Sequence, residues 1–267
     1  MKLSKYFSNA FTVALILLGL SGALFVSKKS EKPTLFVTKQ QSSLNLDNNF
    51  LQFFHLGQKR LFSSLFWIST ILESDHDHYK ARDLNSWMFL RFLTISNLEP
   101  KFLMTYTFGG VYLSIIKDDI PGASVIFNKG LNYYPTDYYL LRDATYHFFY
   151  EAKDNVRAYQ LANIIKIKFP DKHALVGMTS KLEAEYGTLE ESLRMLDEYQ
   201  KIHLKGSFLG DRVFSNRYAL KAEIDLNCLN YSKVNNCSKY DLNNVPYLKI
   251  KDKFIAQTAW APYRRKK

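Results

Sequence analysis

The sequence predicts an all-α fold, a solenoid of helix pairs stacked side by side, and three observations predict it. Prolines close similar short phrases at equal intervals, Pro100 in SNLEP, Pro135 in LNYYP and Pro170 in KIKFP, 35 residues apart each time. Ahead of two of them, small or apolar residues recur at i, i+4 and i+7. They are Ala123, Phe127 and Gly130, then Ala158, Ala162 and Ile165, one stripe on a helix that stops before its proline. A further copy lies in GTLEESLRMLDEY, where Ser192, Leu196 and Tyr199 repeat the spacing and Ser192 falls 34 residues after Ala158. A unit of this length cannot bury its apolar face alone, so the copies must stack.

The 267 residues are 47% hydrophobic and 15% aromatic, enough for a sizeable core and too much for disorder of the whole chain. Residues 1–27 read as a transmembrane anchor or signal segment. Ala10 to Val26 carry no charge, with Lys2 and Lys5 before them and Lys28, Lys29 and Lys32 after. Those 17 residues are at the short end for a spanning helix and the upper end for a signal-peptide core. Only Ser21-Gly22-Ala23 resembles a cleavage site, and cutting there would leave Leu24, Phe25 and Val26 as an apolar stub, so the uncleaved anchor is favoured. The flanking lysines nearly balance, so the positive-inside rule does not orient the segment. Residues 28–50 are polar and read as a tether.

Residues 51–226 then form the repeat domain. Apolar periodicity predicts helix pairs at 51–73 with 80–98, 101–117 with 121–133, 136–151 with 155–168, and 172–186 with 189–203. A ninth helix at 208–226 caps the last apolar face. From Cys228 onward helix periodicity fades, and residues 227–267 read as a small irregular appendage.

Cys228 and Cys237, the only cysteines, lie nine positions apart. A disulfide between them implies an oxidising compartment and puts the repeats on the exported side of the membrane; the alternative is two free thiols. Two sulfurs with no nearby His make an incomplete metal site. The Asn-x-Ser sequons at Asn230 and Asn236 would carry sugar only in a secretory eukaryote.

The net charge of +11 sits at the two ends: residues 1–50 hold 6 basic against 2 acidic side chains, residues 227–267 hold 9 against 2, and the body is balanced. A nucleic-acid interface puts its basic stripe on the folded body, so none is expected. Arg264, Arg265, Lys266 and Lys267 are placed instead to touch anionic lipid, or else form a solvated terminus.

The proline period and the small-then-large pairs, Ala123 with Phe127 and Ser192 with Leu196, resemble the tetratricopeptide repeat. Gly109 and Tyr112 match its first-helix Gly-x-x-Tyr element, and the Gly187-Thr188-Leu189 turn matches its inter-helix turn. Ala144 and His147 replace the former in the next copy, Asp118–Gly122 and Lys153–Val156 vary the latter, and the family's early tryptophan is missing. The resemblance, closest to bacterial membrane-anchored members of the family, covers residues 51–226. It implies that first helices line a concave groove that binds other proteins, with Tyr106, Gly110, Arg142, Thr145 and Lys181 as groove residues.

Asp75-His76-Asp77-His78 has metal-ligand residue types, but consecutive loop residues rarely close a coordination sphere, and a polar connector is expected. No nucleophile elbow or phosphate-binding glycine loop occurs, and His55, His147, His173 and His203 are scattered along helices. No catalytic residue, metal or cofactor is therefore assigned. The expected function is a membrane-anchored scaffold or assembly factor in an envelope complex. The alternatives are a permanent structural subunit, or a lipid- or cell-wall-binding protein that uses its basic ends.

Overall fold

A computed structural model describes residues 57–172, 175–202, 208–232 and 236–263, together with Ser21. The proposed membrane segment at 10–26 (apart from Ser21), the tether at 28–50, helix residues 51–56 and the basic tail Arg264–Lys267 lie outside the described residues. Among the described residues no helix is long and apolar enough to cross a membrane.

The described chain is mostly helical. It runs through α1 (Lys59–Leu72), α2 (Trp87–Leu98), α3 (Leu103–Val111), α4 (Ile120–Tyr133), α5 (Tyr138–Tyr146), α6 (Asn155–Lys168), α7 (Val176–Tyr186), α8 (Leu189–Ile202) and α9 (Phe208–Tyr231). Consecutive helices pack as α1 with α2, α3 with α4, α5 with α6 and α7 with α8, and each pair touches the next. The core follows the stack: Phe92, Ile95, Tyr106, Leu113, Ile126, Phe127, Leu140, Leu141 and Leu182 are all fully buried.

The period of the sequence is a period of the backbone. α3 and α5 each finish in a wide π-helical turn, Tyr112–Ile116 and His147–Glu151. Each is followed by a residue in left-handed backbone, Asp118 (φ 54°) and Lys153 (φ 57°), then by an aspartate that caps the next helix. Asp119 accepts from the Gly122 amide and Asp154 from that of Arg157. Thr188 accepts from Glu191 in the same way. Capping by a short polar side chain satisfies an amide that has no partner within its own helix. α4 and α6 end alike as well, at Tyr134 (φ −131°, ψ 61°) and Phe169 (φ −136°, ψ 59°), each directly before its proline.

Lys153 is an exposed side chain in left-handed backbone, which costs a non-glycine residue about 1 kcal/mol. Lys153→Gly is expected to stabilise the chain by about 0.5–1 kcal/mol, partly offset by the greater freedom of glycine when unfolded. A thermal midpoint that falls rather than rises by about 2 °C would refute this account of the turn.

Several boundaries differ from the sequence expectation: α1 starts at Lys59 rather than 51, after Gly57 in left-handed backbone (φ 76°), and α7 starts at Val176 rather than 172. α2 begins at Trp87 rather than 80, because Arg82 (φ 55°) and Leu84 (φ 63°) take left-handed backbone and Ser86 caps the helix through the Phe89 amide. α9 runs to Tyr231, past the expected end at 226, and so carries Cys228 in its last turn. Cys228 and Cys237 form a disulfide that ties α9 to the appendage. Asn230 clamps the hairpin β1 (Leu248–Ile250) and β2 (Lys253–Ile255): its side-chain amide donates to Phe254 O and accepts from Phe254 N. Tyr247 donates to Asp225 and Tyr218 to Asp241, two buried bonds that fix the appendage against α9.

Candidate functional site

Of the five expected groove residues, three are core. Tyr106 is fully buried with its hydroxyl on Pro100 O, and Thr145 is fully buried with its hydroxyl on Leu141 O. Gly110 is buried against Phe127, where an added Cβ would come within 2.6 Å of the ring. These three belong to the packing between helices and offer no surface to a partner. Arg142 and Lys181 do keep accessible side chains.

The correction is one of register. A residue advances about 100° around a helix, so a shift of one position turns a core side chain outward. Of the neighbours, Tyr146 is exposed and Thr107 and Val111 are half-buried, and they fall into columns with the two that survive. Thr107, Arg142 and Gly177 are 35 residues apart in turn, as are Val111, Tyr146 and Lys181, and Ile115 and Tyr150 start a third column. Tyr146 and Tyr150, with ring centroids 4.7 Å apart, and Ile115 form an exposed aromatic and apolar surface.

Two cavities touch Arg142. One, of about 290 Å³, lies between the third and fourth pairs, among Tyr138, Ile165, Phe169, Val176, Thr179 and Met195. Its rim of cations is largely neutralised: Arg142 pairs with Asp143 at 2.6 Å, Lys166 with Glu183 at 3.0 Å, and Arg194 with Glu191 at 2.7 Å and Glu198 at 2.5 Å. The Arg194 guanidinium holds the Glu191 carboxyl below its usual range. Lys172 lies 5.7 Å over the Tyr138 ring, a cation held by an aromatic face. The second cavity, of about 270 Å³, is mostly apolar and lies among Val111, Ile115, Phe127, Tyr146 and Leu175.

Ser114 and His147 form the floor of that second cavity. The His147 imidazole is 1% exposed and bridges Ser114 Oγ (2.7 Å from Nδ1) and Ser124 Oγ (2.8 Å from Nε2). Ser124 already donates to Ile120 O, so it accepts from Nε2–H, which leaves Nδ1 to accept from Ser114. Burial pushes His147 down to about 4, so at neutral pH the ring is uncharged and a weak base. The arrangement joins α3, α4 and α5 through one neutral ring.

The Asp75–His78 run is a connector tied to the fold. Asp75 forms an ion pair with buried Lys117, and its carbonyl accepts from the Tyr112 hydroxyl. Among the described residues no three His, Cys, Asp or Glu side chains converge as a metal site.

No family model, curated protein or solved structure matches the chain. The functional reading therefore rests on the geometry of the repeats and the accessible chemistry of their first helices.

Proposed function

We propose that this chain is a membrane-anchored interaction scaffold of the tetratricopeptide type, which recruits protein partners along the exposed columns of α3, α5 and α7. The observation that carries the reading is the row of Ile115, Arg142, Tyr146 and Tyr150 beside two cavities, held on helices that repeat at 35 residues. Aromatic and arginine side chains on a rigid concave support are the usual anchors of a protein interface. Residues 10–26 would serve as the anchor, and the Cys228–Cys237 disulfide supports an oxidising, exported location for the repeats.

The test is co-purification of the full chain from its own membranes in mild detergent, beside an Arg142→Ala, Tyr146→Ala double variant. These side chains are accessible, so the variant is expected to keep its helical signal while defined proteins disappear from the purified material. Partners retained at wild-type levels would move binding off this face.

A second reading, a permanent subunit of a membrane complex, is favoured by one feature. Leu61, Leu65, Ile68 and Leu72 make an apolar stripe on α1, each more than half exposed. A solenoid end of that kind ordinarily needs a polar cap. An association that survives detergent and high salt, and ignores the double variant, would select this reading.

A further inference from the structure

α1 turns an uncharged face to solvent. From Leu61 to Leu72 the helix holds no charged side chain, and Leu61, Leu65, Ile68 and Leu72 are all more than half exposed. Their spacing of four, three and four residues is the narrow seam of a helix pair, not the broad stripe of a helix that lies on a core. The other side of α1 is already in use. Trp67 packs on Phe92 of α2 and on Phe102 just before α3, and Ser63 and Thr70 are buried.

Three features say what such a seam fits. The first is symmetry: turned end over end, Leu61 takes the place of Leu72, and Leu65 that of Ile68. A two-fold axis level with the midpoint between Phe66 and Trp67 therefore sets Leu61 against the partner's Leu72 and Leu65 against the partner's Ile68, an isologous contact. The second is charge. Lys59 and Arg60 stand at the amino end of α1 and Glu73 directly after its carboxyl end. The Arg60 side chain is 88% exposed and that of Glu73 43%, although each also pairs within its own chain, with Glu99 and Arg91. An antiparallel pair brings the basic end of each helix level with the acidic end of the other and opposes the helix dipoles, whereas a parallel pair sets like against like. The third concerns lipid. A helix that lies among lipid headgroups carries Lys or Arg along its polar face, and here Ser64 and Ser69 flank the seam instead. Small side chains on the flanks let a second helix approach closely.

We propose that α1 pairs with α1 of a second copy of this chain, antiparallel and about a two-fold axis, so that the protein works as a dimer carrying two sets of first helices. The inference goes beyond the scaffold reading and does not depend on it. It names the occupant that the second reading leaves open for the α1 stripe. Twelve residues of helix give about 18 Å of contact, an interface at the low end of the specific range. Confinement of both copies to one membrane by the proposed anchor would supply the concentration that a small interface needs.

The experiment uses the full chain in mild detergent and reads the protein mass of the complex by light scattering, wild type beside Leu65→Glu. Wild type is expected to be a dimer by about 50 μM. The variant places two carboxylates in the seam and is expected to keep its helical signal while the dissociation constant rises at least about 100-fold. Direction is read from Leu61→Cys and Leu72→Cys, made singly and oxidised after folding; both natural cysteines are in the disulfide, so no other thiol competes. A mixture of the two is expected to crosslink and neither alone, because a disulfide needs Cα atoms within about 7 Å. Single variants that crosslink to themselves overturn the antiparallel pair. A wild type of monomer mass overturns the dimer and leaves the stripe to lipid or to another protein. So does a complex of other chains with one copy of this one, or a dimer that persists in Leu65→Glu. Should Leu65→Glu lose its fold, the cysteine mixture still decides. A dimer with no co-purifying partner leaves this proposal standing and removes the recruitment reading. Partners lost in the Arg142→Ala, Tyr146→Ala variant, with a monomeric wild type, do the reverse.

Discussion

Phe127→Ala is expected to cost about 3–5 kcal/mol of unfolding free energy, the largest effect of any single truncation considered for this chain. The ring is fully buried in α4 and fills the space that Gly110 of α3 leaves by lacking a side chain. It also packs beside the His147 ring, with centroids 5.2 Å apart, and walls the apolar cavity under Tyr146. Removing it deletes the apolar contact of three helices at once, and the backbone of α3 cannot close the gap without moving Tyr106, itself fixed at Pro100. Against a total stability of roughly 5–15 kcal/mol, a loss of that size shifts the midpoint of urea unfolding far to the left. Phe108→Ala is the control, since that ring is 36% exposed, edging on Trp67 and stacked on Tyr112 at the surface of the stack. Similar midpoints for the two variants would mean that the α3–α4 contact is not where the stack draws its strength.

The repeat was legible in the sequence because its marks are local. Proline cannot continue a helix, so Pro135 and Pro170 fix where α4 and α6 stop, and Asp119 and Asp154 stand where a cap is needed. The start of α2 was not legible, because nothing about Arg82 or Leu84 announces a left-handed backbone. The disulfide was suggested by spacing, whereas the helical turn that carries Cys228 was hidden in a segment rich in Asn and Ser.

The groove failed differently. Its columns could be read once aligned at 35 residues, but periodicity alone leaves the phase open, and three of the residues so chosen, Tyr106, Gly110 and Thr145, are buried. The burial of Tyr263 against α7 had no local signal at all. Its hydroxyl partner Ser180 is 83 residues away in the sequence, and only the fold brings them together.

Acid is expected to weaken the stack between pH 7 and pH 4 through His147. Burial lowers the folded-state value to about 4, while an unfolded histidine titrates near about 6.5. The unfolded chain therefore takes up a proton that the folded chain refuses, and stability falls as pH falls through that window. The stabilisation is complete above about pH 7.5; about 2 kcal/mol of it is gone by pH 5 and about 3 kcal/mol by pH 4. Protonation has a structural meaning as well. Nδ1 accepts from Ser114, so protonation forces that bond to reverse, with the serine hydroxyl turning to accept, while the charge arrives in a pocket walled by Phe127 and Phe148. The carboxylates whose values lie below their usual range, Asp83, Glu191 and Asp241, lose their stabilisation at lower pH and so do not mimic the effect at pH 5. His147→Gln keeps a donor and an acceptor at the site without a titrating proton. Urea unfolding of wild type at pH 7.5 and 5.0 should differ by about 2 kcal/mol more than the same pair of measurements on the variant. If the two proteins lose stability in parallel, the histidine bridge is not the acid-sensitive joint between α3, α4 and α5.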